Sequence, residues 1–76
     1  MKAIYKKSLF SDNTTLSVMK VTKNGTARIG RSGDVSSYPT DVTDENDISA
    51  TQQEFKIFLK RALIIHNNAI SKLLEL

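Results

Sequence analysis

The stretch TQQEFKIFLKRALIIHNNAISKLLEL, residues 51–76, decides the fold, because it reads as one long helix. At helical spacing Phe55, Phe58, Leu59, Ala62, Leu63, Ile65, His66, Ala69, Ile70 and Leu73 share one broad face. Ile57 and Ile64, one heptad apart, project from the other side among Lys60, Arg61, Asn68, Ser71 and Glu75. A lone subunit leaves those two isoleucines in water, so the pattern predicts that something covers them. The start is marked by Thr51 and Glu54 at capping-box spacing, with Ser49 and Gln52 offering the same two residues earlier. Asp44, Glu45 and Asp47 lie just before it, where the helix dipole favours negative charge. Helical to Leu76, the segment would run roughly 39 Å. That outruns a small sheet, so either the helix breaks near Asn67-Asn68 or its last turns project and pair with something.

Upstream the period changes from helix to strand. Ala3 to Phe10 is the first strand expected, with Ile4, Tyr5, Leu9 and Phe10 as its apolar residues, followed by turn chemistry at Ser11-Asp12-Asn13. Thr15 to Thr22 is rich in β-branched residues. Asn24-Gly25 then marks a hairpin into Thr26 to Arg31. A two-residue Asn24-Gly25 loop would oppose Val21 to Arg28, mixing apolar and charged residues on both faces. A three-residue loop, Lys23-Asn24-Gly25, opposes Val21 to Ala27 and Met19 to Ile29. It places Met19, Val21, Ala27 and Ile29 on one face, with Lys20 and Arg28 together on the other. Because a one-residue slip exchanges the faces, the hydrophobic pattern selects the three-residue turn. Residues 32–48 are either an irregular connector or carry a short fourth strand around Val35, Tyr38 and Val42, interrupted at Pro39, which an edge position would suit.

The expected fold is therefore α+β, an antiparallel three- to four-stranded meander packed against one long C-terminal helix, in a single domain over 1–76. Its expected core is Ile4, Leu16 or Val18, Met19, Val21, Ala27, Ile29, Phe55, Phe58, Leu59, Ala62, Ile65, Ala69 and Leu73. A chain of 76 residues buries only about 60% of the surface its unfolded form exposes, so disulfides, metals or partners commonly assist. There is no cysteine and one histidine, which removes disulfides, thiolate metal sites and histidine clusters. No metal or cofactor is expected, and oligomerisation or a partner is the helper that remains.

The net charge of +3 conceals segregation. Residues 1–31 carry seven bases and one acid, residues 32–50 five acids and no base, and residues 51–76 return to +2. A basic sheet, an acidic connector and a mixed helix follow from this division. No cationic segment leading into an apolar run opens the chain, and the longest fully apolar run, Ala62 to Ile65, is too short to cross a bilayer, so the cytoplasm is the compartment expected.

Chemistry-bearing motifs are absent. His66 has no orienting carboxylate or nucleophile on its helix, and reads as a half-buried interface residue. Gly30-Arg31-Ser32-Gly33 lacks the spacing and terminal Lys-Ser/Thr of a P-loop, and follows a strand where the nucleic-acid clamp of KH domains joins two helices. The acids from Asp41 to Asp47 lack the central glycine of a calcium loop. No pair of titratable groups has the spacing of acid–base or nucleophilic work, so an enzyme is not expected.

The Met1-Lys2-x-Ile4 opening, a second strand running into Asn24-Gly25, an acidic segment before the final helix and the tail Asn68-Ala69-Ile70-Ser71 together resemble the small phage anti-CRISPR proteins that inhibit type I-F systems. The resemblance implies a twisted antiparallel sheet packed on helices, and inhibition by binding the backbone subunits of the DNA-surveillance complex. It also implies that strand tyrosines contribute to that contact; Tyr5 answers to one, while Thr22 stands where a second would be expected.

Two function classes follow. The first is a small non-enzymatic inhibitor or adaptor that occludes a host protein or protein–nucleic-acid complex through Tyr5, Lys20, Arg28, Arg31, Ile57, Arg61 and Ile64. The second is a dimeric nucleic-acid-binding module using Lys20 and Arg28, joined by Lys6 or Lys7 and Arg31, on one basic sheet face. A homodimer through the C-terminal helix is compatible with either, and no membrane partner is expected.

Overall fold

The computed structural model describes residues 3–74, with side-chain surroundings for residues 3–67. Four strands form an antiparallel meander: β1 (Ile4–Leu9), β2 (Thr15–Thr22), β3 (Gly25–Gly30) and β4 (Val35–Tyr38). A two-residue strand, β5 (Ile48–Ser49), adds to the opposite edge, giving the order β4-β3-β2-β1-β5. The helix α1 (Gln52–Leu74) follows at once and packs on β2 and β3. The α+β meander with a long C-terminal helix thus stands. β4 is the fourth strand at an edge, and it stops one residue before Pro39.

The register of the β2–β3 hairpin differs from both sequence-based alternatives. Thr22 pairs with Gly25 across a Lys23-Asn24 loop, so Val18 opposes Ile29, Met19 opposes Arg28 and Lys20 opposes Ala27. Lys20 and Arg28 therefore lie on opposite faces, and the shared basic face does not form. The hydrophobic pattern misled because it assumed one buried face, and this sheet has two. Val18 and Ile29 pack beneath α1 with Phe55 and Ala62, bordered by Tyr5, Ala27, Ala50 and Phe58. Met19, Val21, Ser17 and Thr26, on the other face, are equally buried.

What covers that second face is the connector. It leaves β4 at one edge, reaches β5 at the other, and is fastened on the way. Thr26 Oγ1 donates to the Thr40 carbonyl at 2.8 Å and accepts from the Val42 N–H at 3.2 Å. Ser8 Oγ donates to Asp47 Oδ1 at 2.7 Å. Asp41 lies within electrostatic reach of Lys6, and its carboxyl is held below the usual range first by the Thr43 hydroxyl and N–H, then by that lysine. The acidic connector is thus a strap across the sheet, opposite the helix.

Gly25 explains the hairpin shift. It sits in β3 rather than in the loop, with φ +127°, and a Cβ there would overlap the carbonyl oxygen of Tyr38. The three-residue turn with a left-handed glycine occurs one hairpin later. Gly33 has φ +85°, its N–H donates to the Gly30 carbonyl at 3.0 Å, and the Gly30 N–H donates to the Asp34 carbonyl at 2.8 Å.

Candidate interaction surface

The position of α1 is set at its N-terminus. Thr51 and Glu54 form the expected capping box: the Glu54 N–H donates to Thr51 Oγ1 at 3.1 Å, and Glu54 Oε1 accepts the Thr51 N–H at 3.2 Å. The other carboxylate oxygen accepts from Lys7 Nζ at 2.7 Å, tying the first turn to β1. That lysine bond, and then Thr51, keep the Glu54 carboxyl below its ordinary value. Alongside, the Ala50 N–H donates to the Tyr5 carbonyl, and the Tyr5 and Phe55 rings meet at 5.6 Å, tilted by 56°.

From β1 the helix crosses the sheet. Ile65 packs against Gly33 in the β3–β4 turn, where a Cβ would collide with its Cδ1. Residues 66–74 continue the helix beyond that contact. The helix of 23 residues is ~34 Å long, while five strands span only about 19 Å between outer axes. The radius of gyration, 13.6 Å, exceeds the ~11.4 Å of a compact chain of this length.

This geometry narrows the buried stripe of α1. Phe55 and Ala62 are buried and Phe58 partly so, but Leu59, Leu63, Ile65 and His66 are exposed, against the expectation of one broad buried face. The reason is contact area: a helix crossing two strands buries little more than one side chain per turn. Ile4, also expected in the core, is half exposed. Ala69, Ile70 and Leu73 lie outside the residues with described side chains. Ile57 and Ile64 are 50% and 60% exposed and with Lys60 and Arg61 form the outward side of the helix, while Leu63, 55% exposed, lies at its flank. Exposed apolar side chains scattered singly are normal; two a heptad apart with cations between them, and a third at their flank, constitute a patch.

The seven residues singled out from sequence separate. Ile57, Arg61 and Ile64 are together on the exposed side of α1. Arg31 joins them indirectly, because Arg61 Nη1 donates to its carbonyl at 3.4 Å. The Arg61 guanidinium also lies over the Phe58 ring, 5.1 Å from its centroid. Tyr5 is turned inward onto Phe55, and Lys20 lies on the helix-side face of the sheet. Arg28 is half-buried on the strap side, with Nε donating to Ser17 Oγ at 3.0 Å. The basic-face reading of a nucleic-acid module loses its surface, since its two central cations are separated by the sheet and one side carries the acidic strap. Leu63 was missed as a surface residue; its place about 100° round the helix from buried Ala62 was the signal that it would emerge.

A cleft of about 410 Å³ opens beside Arg28, between the β1–β2 and β3–β4 turns, with Phe10 and Leu16 as its apolar wall. Arg31 lies over the Phe10 ring at 5.7 Å. The cleft's two guanidinium groups, those of Arg28 and Arg31, face one lining carboxylate, Asp34, and Asp12 lies within electrostatic reach of Arg31. Asp12 is held below the usual carboxylate range chiefly by the Thr14 hydroxyl and N–H. With Asp12 counted, the charge around the cleft is balanced, which gives an anion little net attraction. Among the described residues no three His, Cys, Asp or Glu side chains converge as metal ligands, and no helix is long and apolar enough to cross a membrane.

No protein-family model, no curated protein and no solved structure matches the chain.

Proposed function

We propose that this protein acts by binding, as a small non-enzymatic inhibitor or adaptor, through the outward side of α1. The observation that carries the reading is the exposure of Ile57, Leu63 and Ile64 on a helix that the capping box, Lys7 and Phe55 hold rigidly against the sheet. Burying a leucine or isoleucine that is now half in water contributes about 1 kcal/mol, and a rigid helix loses little entropy on docking. Lys60 and Arg61 beside these side chains favour an apolar groove rimmed by acids, with charge speeding encounter and apolar contact holding the complex. The sequence resemblance supplies the partner to test, a host type I-F DNA-surveillance complex whose DNA binding would be occluded.

The test titrates that purified complex with the protein and follows its binding to target DNA. Wild type should inhibit, while Ile57→Glu with Ile64→Glu, both changes being on exposed positions, should leave the circular dichroism spectrum unchanged and abolish inhibition. Equal inhibition by the double variant would place the contact elsewhere. Absence of any complex with wild type would remove the host-defence partner.

A further inference from the structure

We infer that the chain forms a two-fold dimer by antiparallel pairing of β4 with β4 of a second copy. The inference is independent of the binding role proposed for the outward side of α1.

The argument begins with hydrogen-bond parity. The Gly30 N–H donates to the Asp34 carbonyl, so Gly30 and Asp34 form a hydrogen-bonded pair at the end of the β3–β4 ladder. In antiparallel strands such pairs alternate with non-bonded ones. Val35–Ile29 and Ser37–Ala27 are therefore the non-bonded pairs, and Ser36–Arg28 is bonded. The N–H and C=O groups of Val35 and Ser37 consequently point away from β3, along the open edge of the sheet. β4 is the outermost strand, and Val35 is 53% exposed.

Natural edges are usually guarded by charge, proline, a bulge or a cover. β4, Val-Ser-Ser-Tyr, carries no charged residue, no proline and no register shift, and the strap leaves it over the strap-side face rather than along its edge. The other edge is different. β5 is two residues long and is preceded by Asp44, Glu45 and Asp47, so it offers a template too short and too acidic for a neutral strand. One open edge and one closed edge permit a single isologous contact, which closes as a dimer and does not propagate as a fibre.

A second copy is the occupant because the edge is self-complementary. The strand is neutral, so an identical strand meets no like charge. In a symmetric register Val35 opposes Ser37 of the second copy and Ser36 opposes its counterpart, so the outward N–H and C=O groups of Val35 and Ser37 meet as bonded pairs. A four-residue edge buries less than a standard interface, so the dimer is a weak one that forms at high concentration.

Sedimentation velocity of the full chain, from about 1 µM to about 500 µM, tests the inference. The expected result is a concentration-dependent shift from 8.5 kDa to twice that mass. Ser37→Pro removes an outward N–H and leaves the bonded Ser36 pair intact, so it should remain monomeric with an unchanged circular dichroism spectrum. Val35→Lys places a charge at the same edge and should behave likewise, which keeps the test decisive where the proline variant does not fold. Ile57→Glu with Ile64→Glu should still dimerise, and this separates the edge from the outward side of α1. A wild-type chain that stays at 8.5 kDa throughout, or a dimer that persists in Val35→Lys, would overturn the inference.

Discussion

Replacing Thr26 by valine tests whether the connector is fastened to the sheet, and the cost can be worked from the structure. Thr26 is 2% exposed, and its hydroxyl makes two bonds, to the Thr40 carbonyl at 2.8 Å and from the Val42 N–H at 3.2 Å. Valine keeps the shape of threonine, so no cavity forms and the polar loss stands alone. Each bond contributes about 1 kcal/mol net, and an orphaned buried partner costs about 1–3 kcal/mol. Thr40 and Val42 are themselves exposed, so water re-satisfies part of what they lose. The expected loss is about 2 kcal/mol, against a total stability of roughly 4–11 kcal/mol for 76 residues. In urea, with a slope of about 1 kcal/mol/M, the midpoint should fall by about 2 M. Thr26→Ser is the control: it keeps the hydroxyl and loses one methyl, for about 0.8 kcal/mol. The reasoning fails if Thr26→Val costs no more than Thr26→Ser.

Three other outcomes follow from the same structure. Val18→Ala and Met19→Ala alter neighbouring residues that face opposite sides of the sheet; both should cost about 2–4 kcal/mol in chemical denaturation, whereas a sheet with one buried face would make one of them nearly neutral. Gly25→Ala places a Cβ against the Tyr38 carbonyl at φ +127° and should cost about 3 kcal/mol or more, read as loss of a cooperative thermal transition. Glu54 has a folded pKa depressed below its ordinary 4.5, by Lys7 first and Thr51 second, so the stability it contributes is present above that value and lost as pH falls through the lower folded one. Glu54→Gln should therefore flatten the acid limb of stability below about pH 4.5, and identical limbs in the two proteins would remove the ion pair from the account.

The elements themselves were legible in the sequence because they rest on local rules. The capping box at Thr51 and Glu54, the β-branched run Thr15–Thr22 and the helical period after Phe55 each depend on residues within a few positions of one another. Of the candidate surface, Ile57, Arg61 and Ile64 were legible as off-face residues of that period. The roles of Tyr5, Lys20 and Arg28 were not, because they depended on a strand register shifted by one residue. That register follows from long-range contact: the Tyr38 carbonyl packs on Gly25, and the strap buries Met19 and Val21 on the face that a one-faced reading would leave in water.

The sequence by itself determined an α+β chain with a long, capped, amphipathic C-terminal helix, since propensity, capping and periodicity are properties of neighbours along the chain. Only the tertiary structure decided which apolar residues are core and which are surface. Burial depends on what lies opposite, and here a helix covers one face of the sheet, a seemingly irregular connector covers the other, and α1 is longer than the sheet is wide.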